Sequence, residues 1–190
     1  SHLQKLVFSI LIDADRTDTR RFEEATIEEK YDEKKIFESA YHNLNDQLQK
    51  WAQREPIPLD QLRANMSDRC DVLAEQPSQI WTLSIPTGGG KTLASLRYAL
   101  KHAMLHDKKR IIYVVPYTTI LEQNAQAVRK YFDDPSDVLE HHANVIDDEN
   151  WDAAEDYYGR PIHKKMQLGR DNWDHPVIFT TMVQFLDAFY

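Results

Sequence analysis

Three of the five glycines in this chain stand side by side, within Pro86-Thr87-Gly88-Gly89-Gly90-Lys91-Thr92. Their flanks constrain the fold more than any other feature. Before them comes a short apolar, β-rich run, Ile80–Ile85; after them Leu93, Leu96, Leu100 and Met104 recur at helical spacing. A strand that turns into a helix through glycines makes a cradle for phosphate. The glycines let successive N–H groups converge and let the backbone approach the oxygens. The helix adds its free N–H groups and the positive end of its dipole. Lys91 would neutralise the outer phosphates of a nucleotide, and the Thr92 hydroxyl would ligand Mg²⁺. The candidate nucleotide-binding set is Thr87, Gly88, Gly89, Gly90, Lys91 and Thr92, with Lys91 and Thr92 carrying the catalysis. The strict pattern G-x-x-x-x-G-K-[ST] is not met, because Ile85 holds the place of its first glycine. An ordinary glycine turn before a helix is the alternative.

The order of patterns extends this reading. Arg110–Val115 reads as a strand stopped at Pro116, and Ile120, Leu121, Ala125 and Val128 as a helix. Val138–Leu139 reads as a weak strand, Val177–Thr180 as a stronger one, and Met182–Tyr190 as the start of a helix. Strands alternating with helices make a parallel sheet covered by helices. Ahead of it lie two amphipathic seams, Phe37, Tyr41, Leu44, Leu48, Trp51 and then Leu59, Leu62, Met66, Cys70, Leu73. Pro56 and Pro58 separate them. Leu3, Leu6, Val7, Ile10, Leu11 and Ala14 give a further helical pattern at the front, and residues 143–173 read as short helices. The fold class is α/β: a P-loop parallel sheet with flanking helices, preceded by an α-helical segment.

Composition narrows the setting. A chain that is 42% hydrophobic can build a core, and one cysteine, Cys70, excludes an internal disulfide framework and fits a reducing compartment. No apolar run approaches the roughly 18 residues of a membrane helix. No signal-peptide pattern opens the chain. The expectation is a cytoplasmic protein with no membrane partner. The net charge of −8 hides an uneven distribution. Residues 86–132 hold eight Lys and Arg against two acids, between flanks with net charges of −5 and −9. This basic island surrounds the glycines; it is either a nucleic-acid-facing surface or a set of solvated helix faces.

Hydrolysis of a nucleotide also needs a carboxylate to hold the metal, usually an apolar strand ending in Asp-Glu. Val145-Ile146-Asp147-Asp148-Glu149 has only two apolar residues before its acids, too few for a buried strand. It reads as a turn or helix start, which leaves half a nucleotide site. His141-His142 beside these acids matches no standard zinc spacing and reads as a strand end. Trp151, Tyr157, Tyr158 and Trp173 lack interleaved basic residues and read as core rather than as base-stacking platforms.

Ser84–Thr92 resembles motif I of superfamily 2 helicases, whose core is Thr-Gly-x-Gly-Lys-Thr. Val115-Pro116-Tyr117-Thr118-Thr119-Ile120 resembles motif Ia, and Thr180-Thr181-Met182-Val183-Gln184 a later Thr-containing motif of the same lobe. The resemblance implies a RecA-like lobe that uses ATP and Mg²⁺. It also implies contacts from Pro116, Tyr117, Thr118, Thr119, Thr180, Thr181 and Gln184 to the backbone of a single DNA strand. Helix N-termini with Ser or Thr hydroxyls suit that role, because they bind phosphate without reading bases. With Ser9-Ile10-Leu11-Ile12-Asp13-Ala14-Asp15-Arg16 about 75 residues upstream and Glu140-His141-His142 downstream, the order is similar to that of the CRISPR-associated helicase–nuclease of type I systems. That family joins an HD-type metal nuclease to a 3′–5′-type DNA helicase and is recruited by an RNA-guided surveillance complex to degrade invading DNA.

On this resemblance residues 1–27 are the tail of the nuclease domain, 28–76 a helical linking segment, and 77–190 most of the first RecA-like lobe. The helicase acid motif would follow shortly after Tyr190, and the fragment alone would be inactive. The family's last nuclease ligand, the Asp of Ala-Asp-Arg, maps to Asp15, which would hold a divalent transition metal together with ligands lying upstream. On a helix, Lys5, Ser9 and Asp13 form a polar stripe while Asp15 falls between Phe8 and Leu11, on the apolar side, where a carboxylate needs a partner or a metal. The alternative is a helix that ends by residue 13 and leaves both acids solvated. The residues also leave open another P-loop enzyme of kinase type, with no DNA dependence, and a non-catalytic nucleotide-binding module using acidic 133–190 as its partner surface.

Overall fold

The computed structural model describes residues 32–55, 57–141 and 173–189. The chain divides into two compact units, Ser1–Tyr31 and Asp32–Tyr190, and all described residues belong to the second. Asp13, Asp15, His142, the acids at 147–149, Trp151, Tyr157 and Tyr158 lie outside the described residues.

Helix α1, Glu33–Ala52, starts where the Asp32 side chain accepts from the Lys35 N–H at 3.3 Å. Its buried residues are Phe37, Ala40 and Leu44; Trp51, at the far end of the expected seam, stays exposed. Helix α2, Pro58–Leu73, opens with proline at its first position, where the missing N–H costs nothing. Helix α3, Lys91–Leu105, follows the glycines and buries Ala94, Leu96, Leu100 and Ala103. That apolar surface is wide because α3 packs against α1, α2, α4 and the sheet.

The sheet has three strands: β1 Ile111–Val115, β2 Val138–His141 and β3 Val177–Thr181. Helix α4, Thr118–Arg129, follows β1, and helix α5, Met182–Phe189, follows β3. The strand order is β1–β3–β2, and both pairings are parallel. Ile111 faces Val177 and Val115 faces Thr181, while Val138 also faces Val177. Central β3 is buried from Val177 to Thr180, as a parallel strand covered on both faces must be. The core joins Phe37 and Leu44 of α1, Leu96 and Leu100 of α3, Leu121 of α4 and Phe179 of β3. The structure is therefore α/β with a parallel sheet and flanking helices.

One expected strand is absent. Among the described residues Ile80–Ile85 pairs with no strand and has irregular backbone. Ile80 is 96% exposed, Trp81 and Leu83 are also exposed, and Ile85 alone is buried. The run has β-forming residues, but a strand needs a neighbouring ladder, and composition does not supply one. Strand β1 pairs with β3 on one side only, and no described strand occupies its other edge. No helix among the described residues is long and apolar enough to cross a membrane.

Candidate nucleotide and nucleic-acid site

The phosphate loop is anchored by the residue that departs from the strict motif. Ile85 is buried with Cys70 of α2 and Ala94 of α3, and Met66 and Tyr98 pack beside them. The Gly89 N–H then donates to the Pro86 carbonyl at 3.0 Å, closing a turn. A Cβ on Gly89 would lie 2.5 Å from Ile85 Cγ2 and 3.0 Å from the Pro86 oxygen, so the Ile85 methyl fills the space a side chain would need. Gly88 and Gly90 have φ of +80° and +82°, the left-handed region that favours glycine. Gly90 is also the residue from which α3 starts, and no side chain caps the helix there.

Two neighbours brace this loop. From α2, Arg63 donates through Nε and Nη2 to the Gly88 carbonyl at 3.0 and 2.9 Å, and its Nη1 lies 3.3 Å from Asp60 Oδ1. From α4, Asn124 Oδ1 accepts from the Thr92 hydroxyl at 3.0 Å. Behind them the Ser95 hydroxyl donates to the Thr92 carbonyl. Tyr113 of β1 stacks on Phe179 with ring centroids 4.5 Å apart; burial pushes its phenol up to about 12, opposed by Ser95. Lys91 is exposed and makes no ion pair among the described residues.

These residues fit a nucleotide phosphate with its magnesium. The cradle has N–H groups that no side chain caps, Lys91 has no competing anion among the described residues, and Thr92 offers a hydroxyl oxygen whose proton is already directed elsewhere. Thr87 is exposed at the rim.

The two other candidate junctions lie side by side. Because β1 and β3 are parallel with Val115 opposite Thr181, Pro116–Thr119 and Thr181–Gln184 leave the same edge of the sheet. Pro116, Tyr117 and Thr119 are exposed, Thr118 is half-buried, and no side chain caps α4. Thr181 Oγ1 accepts from the Gln184 N–H at 3.4 Å, capping α5. Thr180 is fully buried, with its hydroxyl 3.3 Å from His141 Nδ1. The exposed surface of this junction is offered instead by Met182 and Val183. His141 and Trp173 meet edge to face at 5.5 Å, and Trp173 also contacts Phe185. Trp173 is half-buried in these ring contacts.

The basic island is largely answered by acids. Arg97 binds Asp68 at 2.7 Å and lies 3.3 Å from Asp71; Lys101 binds Asp71 and Glu75, both at 2.8 Å. Tyr41 of α1 donates to Asp71 at 2.6 Å, so one carboxylate joins three helices. Burial opposes ionisation of Asp71, but the bonds from Lys101 and Tyr41 and the Arg97 charge outweigh it and hold the carboxyl below its usual range. Arg110 pairs with Asp174, Arg129 with Glu140 and Lys109 with Asp107. Sequence reasoning missed Arg63 and Asn124, which stand 25 and 32 residues from their partners in the loop, with no local pattern linking them. No group of three metal-ligating side chains occurs among the described residues.

Comparison with curated proteins and with solved structures gives no match. The family model for the DEAD/DEAH box helicase matches residues 59–170, from the start of α2 through the phosphate loop, β1, α4 and β2. With the loop, the parallel sheet and the paired junctions already in place, that match covers more than half of the sequence, and the chain belongs to the DEAD/DEAH box helicase family.

Proposed function

We propose that this chain spans the tail of an HD-type metal nuclease domain (residues 1–27), a helical linking segment (28–76) and most of the first RecA-like lobe (77–190) of an ATP-dependent, 3′–5′-type DNA helicase, of the kind that RNA-guided type I CRISPR surveillance complexes recruit. Family membership supports the helicase and its use of ATP. The observation that carries it is the uncapped glycine loop, whose Lys91 makes no ion pair among the described residues. Bound ATP·Mg²⁺ supplies the reactive phosphoryl group and its charge-compensating metal. The backbone of Gly88–Gly90 would hold the phosphates, Lys91 would offset their charge, and Thr92 would present its hydroxyl oxygen to the metal. A single DNA strand would lie along Pro116–Thr119 and Thr181–Gln184, held through its phosphates.

The nuclease half rests on Asp13-Ala-Asp-Arg16 alone, with Asp15 as a ligand of a divalent transition metal.

ATP hydrolysis by the full-length protein, measured with and without single-stranded DNA, tests the helicase. We expect stimulation by DNA, and turnover indifferent to DNA would contradict it. Asp15→Ala in the same protein is expected to abolish metal-dependent DNA cleavage and spare ATP hydrolysis; retained nicking would refute that assignment.

A further inference from the structure

We infer that Asn124, on α4, is a positioning residue for the metal that accompanies the nucleotide: it aims the Thr92 hydroxyl oxygen at the ion. This rests on the reading of the glycine loop as a nucleotide site. The Thr92 hydroxyl has one proton and two lone pairs. Its proton is directed at Asn124 Oδ1, 3.0 Å away, which turns the lone pairs away from α4. A hydroxyl that donates to an amide oxygen is also a better electron-pair donor to a cation. Groups in the second layer around metal sites orient and strengthen the direct ligands in this way. No carboxylate among the described residues takes the Thr92 proton; a neutral carboxamide from another helix does.

The position of Asn124 adds a mechanical consequence. It lies on the helix that begins at the exposed Pro116–Thr119 junction, six residues after Thr118 and so about 9 Å along the axis. The hydroxyl that meets the metal and the junction at the sheet edge are therefore tied to one helix. The phosphates themselves touch neither Asn124 nor α4 in this account, so the residue affects binding through the metal alone.

The test is equilibrium binding of a fluorescent ADP analogue to the full-length protein, in Mg²⁺ and in EDTA, for the unaltered protein and for Asn124→Ala, Asn124→Asp and Lys91→Ala. The quantity read is the gain in affinity that Mg²⁺ confers. Asn124→Ala is expected to cut that gain about tenfold while leaving the affinity in EDTA within about twofold. Asn124→Asp keeps an acceptor for the Thr92 proton and is expected to keep the gain. An unchanged gain in Asn124→Ala, or an equal loss in both buffers, would overturn the inference and make Asn124 merely structural. Lys91→Ala separates this outcome from failure of the underlying reading: if that variant binds as tightly as the unaltered protein, the loop is not the nucleotide site.

Discussion

The two ends of α3 carry the same charge and answer to different partners. At its start Lys91 stands exposed, without an ion pair among the described residues, beside an uncapped helix end. About two and three turns further on, Arg97 and Lys101 are side chains of 16% and 17% exposure, held by Asp68, Asp71 and Glu75 of α2. The sequence counts all three alike, as members of one basic island. The fold divides them: Lys91 stays without an ion pair among the described residues, and the other two fasten the helix to its neighbours so that the loop at its head has a fixed base. Charge density around a motif therefore says little until each charge's partner is known.

The largest expected effect lies at the loop. Lys91→Ala should lower ATP hydrolysis by the full-length protein at least about a hundredfold, because a developing phosphate charge loses its nearest cation. A loss of only a few fold would mean that Lys91 is another solvated surface charge. The second effect is on stability. Asp71→Ala should lower the unfolding free energy by about 3 kcal/mol, measured by urea denaturation, since Lys101 and Arg97 each lose one of their two carboxylates and the Tyr41 hydroxyl loses its acceptor. Lys91→Ala should change it by less than about 0.5 kcal/mol.

The pH dependence follows from the same contrast. The Asp71 carboxyl titrates below its ordinary value in the folded state. Its stabilisation is thus present above the unfolded value of 3.8 and is lost as pH falls through the lower folded value. Asp71→Asn should flatten the acid limb of the stability curve below about pH 4. If the limb keeps its slope, other carboxylates carry the acid sensitivity.

Gly89→Ala gives a smaller change, about 1–3 kcal/mol of destabilisation from overpacking against Ile85. A neutral result would show that the loop relaxes easily. Smallest of all, Arg63→Lys should weaken nucleotide binding about fivefold, roughly one hydrogen bond's worth, because a lysine cannot make the two-point contact to Gly88. Unaltered binding would make Arg63 a surface residue that happens to lie near the loop.

Most elements were legible where periodicity was strong. The seams at 37–51 and 59–73, the helix after the glycines and the strands at 111 and 177 all formed where the pattern predicts them. The fold class followed from their order. The strand at 80–85 did not form, because a strand depends on a partner that local sequence cannot specify. The glycine turn ahead of α3 was legible because the left-handed backbone at Gly88 and Gly90 favours glycine. Arg63 and Asn124 were not, because their contacts are made by packing between helices distant in sequence. Thr180 shows the converse: a hydroxyl in a promising motif that register places at the buried centre of the sheet.

The most direct test of this division of labour is a thermal melt of Lys91→Ala and Lys101→Ala in the full-length protein, each with and without saturating Mg·ADP. Binding to the native state alone raises the midpoint, by an amount that grows with the logarithm of ligand concentration over Kd. Lys91→Ala should melt with the unaltered protein when no nucleotide is present and show little further rise when it is added. Lys101→Ala should melt several degrees lower and keep the full nucleotide-induced rise. The reverse pattern, a lower midpoint for Lys91→Ala and a lost ligand response for Lys101→Ala, would contradict the account.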